Sequence, residues 1–190
     1  MTDLGCPRCG RQNVTRLALR DFRYQGCGLD NVVLKSGVTE IRCADCGGAF
    51  HSIPREQQLL QVIALSMLWK PAPLLGAEWR FVRKACGLTQ EQAQIGLGRS
   101  RRGTISDWER KRPAIDLPTE IGARLFYLHA FEKRAGRPEH GFLDRIHLGQ
   151  LAAMRASFAE LYETLVGGGE EIAIEFSAEE AWVLPGLRAA

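Results

Sequence analysis

Two short runs carry the most definite chemistry in the chain: Cys6-Pro7-Arg8-Cys9-Gly10 and Cys43-Ala44-Asp45-Cys46-Gly47. In each, two thiols separated by two residues can grip a single metal ion, and the following glycine lets backbone amides turn toward sulfur. Together the pairs supply four sulfurs. Tetrahedral thiolate coordination selects zinc or iron–sulfur chemistry, and paired knuckles on short hairpins favour one structural Zn2+ per chain, held by Cys6, Cys9, Cys43 and Cys46. Four protein ligands close the coordination sphere, so the metal is expected to serve folding and not catalysis. A redox-active Cys-x-x-Cys would sit at a helix start in a βαβ context, which is absent here. Of the other two cysteines, Cys86 reads as core and Cys27, beside two glycines, as a loop thiol.

The remaining titratable residues give no comparable pattern. His51, His129, His140 and His147 are scattered, with no ligand spacing to carboxylates or cysteines, and the chain has no glycine-rich phosphate loop and no nucleophile motif. The expectation is a protein that is not an enzyme.

Charge is distributed unevenly. Residues 76–113 hold nine Lys/Arg against four acids, and residues 114–190 hold seven against twelve, within a net charge of only +3. A basic middle suits a polyanion such as double-stranded DNA, and an acidic tail is expected to stay away from it. The first ten residues are polar and no stretch approaches the roughly 18 apolar residues of a membrane span, which predicts a cytoplasmic protein with no membrane partner. Six cysteines in such a protein point to metal and not to disulfides.

Periodicity indicates the scaffold on which these residues sit. Alternating apolar runs at 14–19, 31–34 and 38–42, separated by glycine-bearing turns, predict a small β-rich unit around the cysteines. Residues 54–69 carry Leu59, Leu60, Val62, Ile63, Leu65, Met67 and Leu68 and predict a helix that Pro71 and Pro73 end. Three short helices are expected at 76–86, 89–97 and 104–111, and longer ones at about 118–135 and 142–166, the second stopped by Gly167 to Gly169. Residues 171–176 then alternate Ile172, Ile174 and Phe176 with polar or small residues, the period of a half-buried strand. Its partner is either a copy in a second subunit or the sheet of the cysteine-bearing unit.

The three short helices read as a helix-turn-helix. Gly87 closes the first in the C′ position, and Thr89 caps the second, with Gln92 completing a capping box. The third buries Ile105 and Trp108 and leaves its other residues for a DNA major groove.

Knuckles followed by a Leu88-Thr89-Gln90 helix start and Ile105-Ser106-x-Trp108-Glu109 resemble the zinc-finger/helix-turn-helix proteins of the MqsA (YgiT) antitoxin type, whose second half belongs to the broad phage-repressor-like (XRE) group. The resemblance covers residues 1 to about 115. It implies that Cys6, Cys9, Cys43 and Cys46 hold zinc and that the second half binds DNA, with Gln90 near phosphate. Between Gly98 and Glu109 this chain has one residue more than that family, and the family's base-reading Asn and Arg fall on Gly103 and Asp107. A different DNA sequence is therefore expected. Its candidate readers are the turn Arg99, Ser100, Arg101 and Arg102, then Thr104, Ser106 and Asp107, with Arg110, Lys111 and Arg112 on the backbone.

The fold expected is thus α+β: a four-cysteine zinc domain (1–52), a helical linker (53–73), an XRE-like helix-turn-helix domain (74–117) and a helical extension ending in a strand (118–190). The function expected is a DNA-binding transcriptional regulator, a repressor and homodimer. The alternative is an antitoxin that binds a protein toxin through its zinc domain and represses their shared operon. Residues beyond 118 speak against that alternative, because antitoxins of this type end soon after the helix-turn-helix.

Overall fold

A computed structural model describes residues 5–70, 72–99, 103–110, 115–135, 172–176 and 182–183. The chain is α+β, as expected. Its N-terminal strands are β1 (Val14–Leu19), β2 (Phe22–Arg23), β3 (Val32–Leu34), β4 (Val38–Cys43) and β5 (Ala49–Ser52). Five helices follow: α1 (Glu56–Trp69), α2 (Gly76–Ala85), α3 (Gln90–Gly96), α4 (Thr104–Arg110) and α5 (Leu117–Ala135). Strands β6 (Ile172–Phe176) and β7 (Trp182–Val183) come last. The expected helix at 142–166 and its glycine stop lie outside the described residues.

Two sheets share the N-terminal strands. One is antiparallel, in the order β1-β4-β5, in which Val14 faces Cys43 and Leu19 faces Val38. The other has the order β2-β3-β6-β7. Here the strand read at 171–176 finds its partner: β6 runs parallel to β3, with Val32 opposite Ile172 and Leu34 opposite Ile174. Of the two partners open to it, the structure selects the sheet of the cysteine-bearing region. A parallel pair cannot be joined by a tight turn, and here a long stretch of chain that includes all five helices separates the two strands.

Helix α1 joins the strands to the helices in sequence and is also the centre of the core. Leu59, Val62, Ile63, Ala64, Leu65 and Met67 are wholly buried, against β6 and β7 on one side and α2 and α5 on the other. A helix apolar on nearly every side needs neighbours on nearly every side. The β3, α1, α2, α4, α5, β6 and β7 side chains form one continuous apolar cluster.

Buried charges tie the layers together. Arg124 of α5, fully buried, donates from Nη1 to the carbonyls of Leu68 (3.2 Å) and Lys70 (2.6 Å) and from Nη2 to that of Ala72 (2.7 Å). The first two are groups that the end of α1 leaves without helical partners, the third belongs to the segment that follows, and a cation suits that end of the helix. Glu120, one turn earlier, pairs with Arg124 at 2.6 Å and accepts from the Leu74 amide at 2.9 Å. Glu78 plays the matching role at the start of α2. It accepts from Lys70 Nζ (2.8 Å), Asn31 Nδ2 (2.7 Å) and the Leu75 amide (2.6 Å), linking the β3 loop to the segment after α1. Among the described residues, no helix is long and apolar enough to cross a membrane.

Candidate metal centre and nucleic-acid interface

The register of β1 on β4 brings the two cysteine pairs together, because the first knuckle leads into β1 and the second begins at the last residue of β4. The knuckles repeat one backbone pattern. Gly10 N–H donates to the Cys6 carbonyl (2.9 Å) and Gly47 N–H to that of Cys43 (3.0 Å), and both glycines have positive φ, +71° and +65°. The Arg8 amide points at Cys6 Sγ at 3.4 Å.

All four sulfurs lie within 4.8 Å of one another. The cross-knuckle pairs, Cys6 to Cys46 and Cys9 to Cys43, are each 3.6 Å apart. A regular tetrahedron with metal–sulfur bonds of about 2.3 Å has edges of about 3.8 Å, so the donor set fits a four-coordinate metal. The surroundings of the thiols explain why a cation belongs there. Burial works against ionising Cys6, yet the amides of Cys9 and Arg8 bring its thiol down to about 6. Cys9 is pushed up to about 12: the Arg11 amide favours its thiolate, but burial and the neighbouring sulfurs of Cys6, Cys43 and Cys46 outweigh it. Several thiolates this close need a divalent ion to neutralise them. The four cysteines are therefore placed to hold one metal ion, and among the described residues they are the only such cluster.

Cys86 is core, as read. It is buried, it donates to the Tyr127 carbonyl at 3.4 Å, and burial pushes its thiol up to about 12. Cys27 lies half-buried in a turn and donates to the Tyr24 carbonyl at 3.7 Å.

The three short helices form where expected. Helix α2 ends in a Schellman motif: Gly87 N–H reaches the Lys84 carbonyl (2.9 Å) and Leu88 N–H that of Arg83 (3.1 Å). The Thr89 capping box is complete, with Gln92 N–H donating to Thr89 Oγ1 (3.1 Å) and Thr89 N–H to Gln92 Oε1 (2.8 Å). Helix α3 closes on a second Schellman motif, Gly98 to Ile95 and Arg99 to Gln94, both 3.0 Å. Gly103, at φ +86°, then starts α4, and its carbonyl accepts the Asp107 amide at 2.8 Å.

Helix α4 buries Ile105, Trp108 and Glu109. Trp108 packs on Trp79 with ring centroids 5.7 Å apart, and Trp79 on Tyr127 at 6.0 Å. The opposite face presents Gly103, Ser106, Asp107 and Arg110 at helical spacing; Arg110 is exposed, and Ser106 and Asp107 are half-buried. Thr104 is half-buried as well.

Two predicted contact residues make contacts within the protein. Gln90 donates from Nε2 to Glu109 at 2.8 Å. Arg99 is half-buried: its Nη2 donates to Thr119 Oγ1 at 2.9 Å and its Cζ stands 5.7 Å from the centre of the Trp108 ring. Ser100, Arg101, Arg102, Lys111 and Arg112 lie outside the described residues. His51 and His129 are exposed and join no metal cluster, and His140 and His147 also lie outside.

Two features go unannounced by the sequence reading. Glu109 is a buried acceptor that anchors α4 to α2: Arg83 donates to it from Nε and, at 3.1 Å, from Nη2. Ile95 projects from α3 with 72% of its surface exposed. The signal for it was present, since Ile95 is two residues from the buried Ala93 and therefore about 200° round the helix. No family model, curated protein or solved structure matches this chain.

Proposed function

We propose that this chain is a sequence-specific DNA-binding transcriptional regulator, a repressor working as a homodimer, whose N-terminal region is held by one structural Zn2+. The observation that carries this reading is the α3–α4 pair. Both helices are stopped or started by local motifs, and α4 is fixed to the core through Ile105, Trp108 and Glu109 while its other face stays open. That is how a helix-turn-helix presents its second helix to a major groove. In sequence, arginines stand at both ends of α4, Arg101 and Arg102 before it, Arg110 in its last turn and Arg112 after it. Positive charge at both ends of a recognition helix matches the two phosphate strands that border the groove.

Ser106 and Asp107 are the readers on the described face, with Arg110 beside them on the DNA backbone. Asp107 suits the amino group of cytosine and Arg110 a phosphate. One short helix reads only a few base pairs, so useful specificity calls for two half-sites and hence a dimer. The metal is assigned as zinc because, of the zinc and iron–sulfur chemistries that four thiolates admit, paired knuckles on short hairpins favour a structural zinc. A cytoplasmic location and the absence of catalytic activity belong to the same reading.

Two measurements test it. Metal analysis of the purified chain is expected to give one zinc per chain; two or more irons with visible absorbance would contradict the zinc assignment. Replacing Arg101 and Arg102 by Ala is expected to weaken binding to the protein's own promoter and to flatten its dependence on salt. Unchanged binding at moderate salt would remove the proposed recognition surface.

A further inference from the structure

Ile95 is the most exposed large apolar side chain among the described residues, ahead of Leu17 at 58% and Leu125 at 43%. It lines an open groove between α3 and α4, together with Glu91, Gln94, Gly103 and Ser106. The groove is therefore chemically mixed. Ile95 is its exposed aliphatic group, since Ile105, which also lines it, is buried; amides (Gln90 among them), a hydroxyl and a carboxylate complete the lining, and at Gly103 there is open space where any other residue would place a Cβ.

That chemistry discriminates among occupants. A phosphate is disfavoured by the Glu91 carboxylate. A protein partner that covered one isoleucine would also have to desolvate the surrounding polar groups for a small apolar gain. A base-pair edge satisfies both requirements. In the major groove an A·T pair presents a methyl group beside a carbonyl acceptor, an amino donor and a ring-nitrogen acceptor, and amide and hydroxyl side chains pair with these. The groove is also continuous with the open face of α4, since Gly103 and Ser106 belong to both.

We infer that the α3–α4 groove receives an A·T pair of the bound DNA, with the thymine C5-methyl seated against Ile95. The inference rests on the DNA-binding reading above and names one position of the sequence that is read. The second helix of the motif then contributes to specificity as well as to placement. Burial of one methyl group corresponds to about a fourfold change in affinity.

The test uses the full-length, metal-loaded chain and a duplex that it retains from a random pool. Each thymine is replaced in turn by uracil, which removes only the C5-methyl. One position per half-site is expected to lose about fourfold in affinity on that replacement. In Ile95→Ala the same replacement is expected to have no effect, and in Ile95→Val to keep part of it, both variants retaining the wild-type dependence on salt. The inference is overturned if no thymine responds to loss of its methyl, or if the response persists undiminished in Ile95→Ala. It is equally overturned if Ile95→Ala changes the sedimenting mass of the chain without DNA, which would mean that a second copy covers this side chain. A pool from which nothing is enriched would defeat the DNA-binding reading itself, an outcome distinct from a chain that selects a sequence but ignores the methyl.

Discussion

Glu109 receives hydrogen bonds from Arg83 and from Gln90, and Arg80 lies 3.7 Å away. Burial raises the carboxyl's pKa, yet these donors outweigh it and hold the group below its usual value of 4.5. A carboxyl depressed on folding stabilises the native state fully above its unfolded pKa, and the stabilisation is lost as pH falls through the native pKa. The advantage of the wild type over Glu109→Gln in denaturant unfolding is therefore expected to be constant above about pH 5 and to shrink below about 4.5. An advantage that grew on acidification would contradict the pairing. Glu109→Ala leaves the buried Arg83 guanidinium without its carboxylate and is expected to cost about 3–5 kcal/mol, most of it recovered by replacing both residues with apolar ones. Arg99 illustrates what residue type alone does not disclose. Its place in a basic turn suggests a phosphate contact, but Trp108 and Thr119, which hold it inward, are tertiary neighbours that no local pattern announces.

Helix α3 is bounded at both ends by motifs that can be varied singly. Thr89→Ala removes the hydroxyl that accepts the Gln92 amide and is expected to cost about 1 kcal/mol. Gly98 occupies the left-handed region at φ +62° with no atom near an added Cβ, so Gly98→Ala isolates the backbone penalty, again about 1 kcal/mol. Gly87→Ala adds to that penalty a close contact of the new methyl with the Arg134 guanidinium, though a side-chain end can shift. Chemical denaturation of the three variants should rank Gly87→Ala no better than Gly98→Ala; the reverse order would contradict the described turn. These elements were legible because caps, Schellman glycines and the Cys-x-x-Cys-Gly knuckles are local codes whose partners lie within about six residues. Strands β2 and β5 were not, since two to four residues of mixed exposure carry no period to read. The pattern of 171–176 announced a strand but not its partner, because β3 lies at the far end of the sequence and pairing over that distance is decided by the shape of the common core.

The late strands complete the early sheet and so make one body of the two ends of the chain. Ile174 and Trp182 are wholly buried, and Trp182 Nε1 donates to the Pro54 carbonyl at the approach to α1 (2.7 Å). The apolar cluster runs unbroken from β3 through α1 to α4 and α5. Ile174→Ala is therefore expected to cost about 2–5 kcal/mol. Calorimetry should show the loss in a single transition shared by the strands and the helices, and a separate early transition of the strands alone would contradict a common core. The same continuity gives α4 a rigid base, which is what a helix needs in order to read DNA in one orientation. Whether that base serves sequence-specific DNA binding is decided by sequencing the DNA that the metal-loaded chain retains from a random duplex pool. The expected result is enrichment of a two-fold symmetric sequence whose half-sites are centred about one helical turn apart, with affinity that falls steeply as salt rises. A retained pool indistinguishable from the input, at low salt as well as moderate, would contradict it.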